Sequence, residues 1–216
     1  LQAPPEDIFR LTRSLEEASA TPDEIEIHFK DAIPVRVKNL KDGTVLTDPM
    51  DLFMYLNDLG GSHGIGRVDM VENRFVGIKS RGVYETPGGT ILHSALRDLE
   101  GVAMDREVLR LRDSLSPRFA ELIYNGFWYS PEMDFVQAAF RQSERLIDGF
   151  VRLKLYKGNV VSMGRESPSS LYDRELSSMD VAGGYDQEDA RGFIRINSMR
   201  LRAHKLIVRK TGGDSK

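Results

Sequence analysis

Ile25-Glu26-Ile27-His28-Phe29-Lys30-Asp31-Ala32-Ile33-Pro34-Val35-Arg36-Val37 is the stretch that decides the fold class of this chain. Its apolar side chains alternate at Ile25, Ile27 and Phe29, break at Ala32-Ile33-Pro34 and resume at Val35 and Val37. A period of two puts alternate residues on one face of a pleated strand. The stretch therefore predicts a strand pair with one buried side. Lys41-Asp42-Gly43-Thr44 closes that unit, because Gly43 can take the positive φ that such a turn wants.

Downstream the period changes. Asp48-Pro49 is a helix start: the Asp side chain can accept from an orphan amide and Pro costs nothing at the first helical position. Leu52, Phe53, Leu56 and Leu59 then mark one buried face, and Gly60-Gly61 ends the helix. From Arg67 to Ile78 the apolar residues Val68, Met70, Phe75, Val76 and Ile78 flank the polar Glu72-Asn73-Arg74, which predicts two strands or one interrupted strand. Helical spacing returns over Thr90 to Leu99, Arg106 to Tyr124 and Glu132 to Ile147, with Pro117 expected to kink or restart the second of these. Phe150 to Tyr156 and Val160 to Met163 flank Lys157-Gly158-Asn159, a hairpin signal. After Gly183-Gly184, a helix is expected from Asp189 to Lys210. Upstream, residues 1 to 20 read as a linker ordered by contact, with one helical turn near Asp7 to Leu15. Hairpin strands followed by a run of helices favour α+β, a largely antiparallel sheet with packed helices.

Composition excludes several function classes. The 216 residues include 30 basic and 33 acidic side chains, a net charge of -3, so no strong field attracts nucleic acid. With no cysteine, thiol nucleophiles and cysteine-ligated metals are ruled out. His28, His63, His93 and His204 have no metal-site spacing and read as structural or surface residues. No run approaches the roughly 18 apolar residues that cross a bilayer. Gly60-Gly61-Ser62-His63-Gly64-Ile65-Gly66 lacks the Gly-Lys-Ser/Thr ending of a phosphate loop, and Gly164-Arg165-Glu166-Ser167 is not a nucleophile elbow. Leu1-Gln2-Ala3-Pro4-Pro5 has no initiator Met and is Pro-rich in the manner of a domain linker, so a fragment of a longer protein is expected.

The segment from Val71 to Thr90 gathers Glu72, Asn73, Arg74, Lys79, Arg81, Tyr84 and Glu85 among four glycines. A strand-loop-helix junction whose charges pair with one another, with Thr86-Pro87 opening a helix, accounts for it. So does an amino-acid seat, in which a carboxylate takes an ammonium group, a phenol hydrogen-bonds a polar end and glycines allow close approach. The residues alone leave both readings open.

Gly64-Ile65-Gly66-Arg67-Val68-Asp69-Met70-Val71-Glu72-Asn73-Arg74, continuing through Lys79-Ser80-Arg81-Gly82-Val83-Tyr84-Glu85-Thr86-Pro87, resembles the signature stretch of the argininosuccinate synthase family. Further blocks agree in collinear order from about Thr21 to about Leu201. They are Leu52 to Asn57, Met104 to Glu107, Phe119 to Leu122 with Gly126-Phe127-Trp128, and Gly164 to Pro168 with Ser170-Leu171-Tyr172. The resemblance implies a ligase that joins citrulline to aspartate at the expense of ATP, releasing AMP and pyrophosphate. It implies that Glu72 and Tyr84 contact citrulline. ATP, with Mg2+, would be bound mainly by an amino-terminal half whose Ser-Gly-Gly-x-Asp-x-Ser loop these residues lack, so this chain alone is expected to be inactive.

The resemblance further implies a cytoplasmic homotetramer, with no nucleic-acid or membrane partner, in which a carboxyl-terminal oligomerisation helix buries Phe193, Ile194, Ile196, Met199 and Leu201 against neighbouring subunits. Three regions follow: a linker remnant over 1–20, a synthetase and multimerisation domain over 21–185, and an oligomerisation arm over 186–216. The rival reading is a non-catalytic oligomerisation module that keeps the fold.

Overall fold

The alternation at Ile25, Ile27 and Phe29 becomes strand β1 (Asp23–Lys30), whose odd-numbered side chains are buried and whose even-numbered ones are not. A two-residue turn at Asp31 and Ala32, both at positive φ, leads into β2 (Ile33–Asn39). Such turns match the right-handed twist of the strands they join. The turn thus begins one residue before the break read in the sequence, and Asp148 fixes it by accepting from the Asp31 amide at 2.7 Å. Val35 does not share the buried face of Val37. A bulge shifts the register beside it, and Val35 is exposed.

In the computed structural model, residues 2–173 and 187–211 are described. β3 (Val45–Leu46) flanks β2, and the hairpin β6 (Gly149–Tyr156) and β7 (Asn159–Glu166) completes an antiparallel five-stranded sheet in the order β3-β2-β1-β6-β7. Helices α1 (Pro49–Ser62) and α2 (Pro87–Ala103) pack on it. Ile25, Ile27, Val37, Leu52, Leu56, Ile91, Leu99, Val151, Leu153 and Leu155 form the core between them, each at most 1% exposed. Burying one such side chain contributes about 1.5–3 kcal/mol, against about 0–1 kcal/mol for an exposed ion pair, so this apolar layer decides the stability. Helices α3 (Arg106–Tyr124) and α4 (Pro131–Glu144) form a smaller cluster around Leu122, Met133 and Val136. The fold class is α+β, as the sequence predicts.

Local signals were followed where they were local. Asp48 caps α1, accepting from the Met50 and Asp51 amides, with Pro49 at the first position. Four expectations need correction. Phe53 is exposed, and the buried stripe of α1 is Leu52, Leu56, Gly60 and Gly61. Gly60-Gly61 lies inside the last turn rather than ending it. A Cβ on Gly60 would stand 2.8 Å from Ile91 Cδ1, and one on Gly61 would collide with the Leu11 carbonyl oxygen. These glycines therefore admit α2 on one side and the amino-terminal segment on the other. Pro117 sits inside an uninterrupted α3, both halves of which are held: Arg112 ion-pairs with Glu100 of α2, and Leu122 packs on α4. The helical turn near Asp7 to Leu15 is a short 3-10 turn, Glu6–Ile8.

The chain divides into two units, Leu1–Leu171 and Tyr172–Lys216. In the second, α5 (Gln187–Lys210) is a single helix. Gly183-Gly184 and the boundary between residues 185 and 186 lie outside the described residues.

Gly61→Ala should lower the unfolding free energy by about 1–3 kcal/mol, measured by urea denaturation, because the added methyl separates α1 from Leu11. An unchanged midpoint would show that this contact does not hold the segment.

Candidate functional site

Between α1 and α2 the chain leaves the main sheet as a two-stranded hairpin, β4 (Arg67–Asn73) and β5 (Lys79–Glu85). The pairing runs unbroken from Arg67 opposite Glu85 to Asn73 opposite Lys79. The sequence pattern placed a second strand too early. Phe75, Val76 and Ile78 occupy the turn and are exposed, and β5 begins only at Lys79. Gly77, at φ 82°, makes that turn. Phe75 leans edge-on against Phe127, which follows α3, with ring centroids 5.7 Å apart.

Alternation sorts the hairpin residues onto two faces. One carries Arg67, Asp69, Arg81 and Glu85, and the amino-terminal segment runs along it. The Glu85 carboxylate accepts from the amides of Arg10, Leu11 and Thr12 at 2.7, 2.9 and 2.8 Å, and from the Thr12 hydroxyl at 2.6 Å. Arg67 reaches the Glu6 carboxylate, the Thr12 hydroxyl and the Thr12 carbonyl, and its guanidinium lies 3.8 Å from the centre of the Phe9 ring. Arg81 pairs with Asp69 and donates to the Gln2 carbonyl. Partial burial pushes the Glu85 carboxyl up, but the donors from residues 10 to 12 outweigh it and leave its pKa below the ordinary value.

The other face is open and carries Glu72 and Tyr84. Tyr84 stands opposite Val68 and Glu72 opposite Ser80, yet the phenol reaches diagonally and donates to Glu72 Oε1 at 2.8 Å. That hydrogen bond to a carboxylate, with the adjacent charge, raises the Tyr84 pKa above its ordinary value. Tyr84 is 42% exposed. Neither the cleft at Met104 and Leu146 nor that at Ala3 and Arg81 includes the pair. The two residues singled out in the sequence are therefore brought together on an accessible surface. Of the neighbouring polar residues, Lys79 turns to Asn73 and Arg74 to Ser80.

Chemically, the phenol's proton is committed to Glu72, so Tyr84 presents an oxygen lone pair, and Glu72 Oε2 has no protein hydrogen bond among the described residues. Two adjacent acceptors, one anionic, suit a donor-rich cation such as an ammonium group. No group of three or more His, Cys, Asp or Glu side chains able to hold a metal occurs among the described residues. His63 is fully buried with Nε2 2.9 Å from the Asp23 carboxylate, a core pairing. Among the described residues no helix is long and apolar enough to cross a membrane.

One feature escaped the sequence: the Glu85 anchor, whose donors lie more than 70 residues away.

Residues 1–204 match the family model described as the arginosuccinate synthase C-terminal domain. Among curated proteins the chain is 60% identical over 207 residues to argininosuccinate synthase of Pseudothermotoga lettingae, covering 94% of this chain and 48% of that protein. It is 54% identical over 203 residues to the Danio rerio protein of that name (94% and 49%) and 50% identical over 209 residues to that of Homo sapiens (97% and 50%). The chain thus spans about half the length of the curated relatives it matches.

Glu85→Gln should cost about 2 kcal/mol of stability at neutral pH, the scale of charge-assisted hydrogen bonds. Because the folded pKa is lowered, the wild-type advantage is complete above the unfolded value of about 4.3 and is lost as pH falls through the folded value. Denaturation of both proteins across that range checks it, and a difference that persists in acid would contradict the anchor.

Proposed function

The chain belongs to the argininosuccinate synthase family as its carboxyl-terminal domain, and on that premise we propose that it supplies the citrulline-holding and assembly half of a carbon-nitrogen ligase of arginine biosynthesis. In the proposed reaction ATP adenylates the ureido oxygen of citrulline, the aspartate amine displaces AMP, and pyrophosphate is released. ATP and its Mg2+ belong to a nucleotide-binding half, and a cytoplasmic homotetramer is the proposed working form. This chain by itself is proposed to be inactive.

The observation that carries the reading is the Tyr84 to Glu72 hydrogen bond on the open hairpin face. It supports a specific orientation. The α-ammonium group of citrulline donates to Glu72 Oε2 and to the Tyr84 oxygen, while its carboxylate, repelled by Glu72, turns toward donors on the nucleotide-binding half. Pinning one end of the substrate aims the ureido group at the nucleotide. This is catalysis by orientation, not proton transfer.

The non-catalytic assembly reading draws on a different observation. In α5, Phe193, Ile194, Ile196, Met199, Leu201, Leu206 and Ile207 are all more than half exposed. We assign this surface to subunit contact within the same enzyme, with Arg200, Arg202, Lys205, Arg209 and Lys210 as its basic flank.

In the full-length protein, Glu72→Gln and Tyr84→Phe should each raise the KM for citrulline roughly tenfold to a hundredfold, the loss of one hydrogen bond to a charged group. The KM values for ATP and aspartate should stay put, measured by pyrophosphate release. Normal citrulline kinetics in both variants would overturn the assignment, and absence of pyrophosphate release in the wild type would favour the assembly module.

A further inference from the structure

Gly82 lies in the middle of β5, opposite Met70, where a glycine weakens a strand and has to be accounted for. The register passes through it without a bulge, and its φ is not positive, so the backbone itself accepts any residue. The side-chain space is what is taken. A Cβ built on Gly82 would stand 2.5 Å from the Tyr84 hydroxyl oxygen and 2.6 Å from Cζ, and would also strike Cε2. Its three nearest atoms all belong to the Tyr84 side chain.

Residues 82 and 84 share a face by alternation, and Glu72 pairs with Ser80 one step beyond Gly82. To reach Glu72, the Tyr84 ring has to lie along the strand across position 82. We propose that Gly82 is a positioning residue of the citrulline site: its missing side chain is the slot in which the Tyr84 ring lies, and that slot aims the hydroxyl at Glu72. The inference rests on the assignment of Glu72 and Tyr84 to citrulline.

A methyl group at position 82 displaces the ring to another rotamer. Tyr84 is part-exposed and the clashing atoms are the far end of its side chain, so the strand keeps its pairing while the Glu72 contact is lost. Freed from Glu72, the phenol titrates closer to its ordinary value. Gly82 acts only through Tyr84, so its removal has nothing further to disturb once the hydroxyl is gone.

The test uses the full-length protein with Gly82→Ala, Tyr84→Phe and both together, with citrulline, ATP and aspartate varied in turn. Gly82→Ala should raise the citrulline KM roughly tenfold, with kcat and the other two KM values within about twofold, and the double variant should match Tyr84→Phe alone. Ring-carbon-labelled tyrosine should show the Tyr84 signal, assigned by its loss in Tyr84→Phe, titrating at lower pH in Gly82→Ala than in wild type. A wild-type titration curve in Gly82→Ala, or losses that multiply in the double variant, would overturn the proposal. Should Tyr84→Phe leave citrulline kinetics intact, the citrulline assignment fails and the inference about this site fails with it, whereas a shifted titration would still show that Gly82 places the ring.

Discussion

At the base of the β4–β5 hairpin the carboxylate of Glu85 gathers three backbone amides and one hydroxyl from residues 10 to 12. Arg67, opposite Glu85, holds the same segment through Glu6, Thr12 and the Phe9 ring, and neither strand contains a fully buried residue. Apolar burial, which fixes the main sheet, therefore contributes little here, and charge-assisted hydrogen bonds take its place. The constraint propagates by geometry. With Glu85 turned to the amino-terminal segment, its neighbour Tyr84 must face the other way, and the Tyr84 to Glu72 bond follows on the uncovered side. Residues 2 to 12 run along one face, and Glu72 and Tyr84 stand on the other.

Below the hairpin, two close approaches set its origin. Gly60 lets α2 begin against the end of α1, and Gly61 lets the chain at Leu11 lie on the same turn. The Thr86 amide donates to the Gly66 carbonyl and closes the two strand ends. The site thus sits on a hairpin braced at its root by helices that belong to the main core and at its tip by Phe75 against Phe127.

What was legible in the sequence was what local physics decides. The alternation of Ile25, Ile27 and Phe29 and the Asp48-Pro49 cap are written within a few residues of where they act. What was not legible depends on distant partners. Val35 leaves the buried face because of a bulge against β1, and Phe53 is exposed because α2 meets α1 along the Leu52, Leu56 and Gly60 stripe. Gly60-Gly61 looks like a helix stop until a second chain segment is laid upon it. Phe75, Val76 and Ile78 imitate a strand, yet Gly77 puts them in a turn. Glu72 and Tyr84 were named through resemblance, and no spacing rule would have joined them, because their diagonal meeting needs both the register and the empty position at Gly82.

The account stands on the open face of this hairpin being where citrulline is held. A crystal structure of the full-length protein with citrulline tests that most directly. The result expected is the amino group of the ligand within hydrogen-bond distance of Glu72 Oε2 and the Tyr84 oxygen, with residues 10 to 12 still seated on Glu85. Citrulline bound elsewhere, with this face covered by protein, would contradict it.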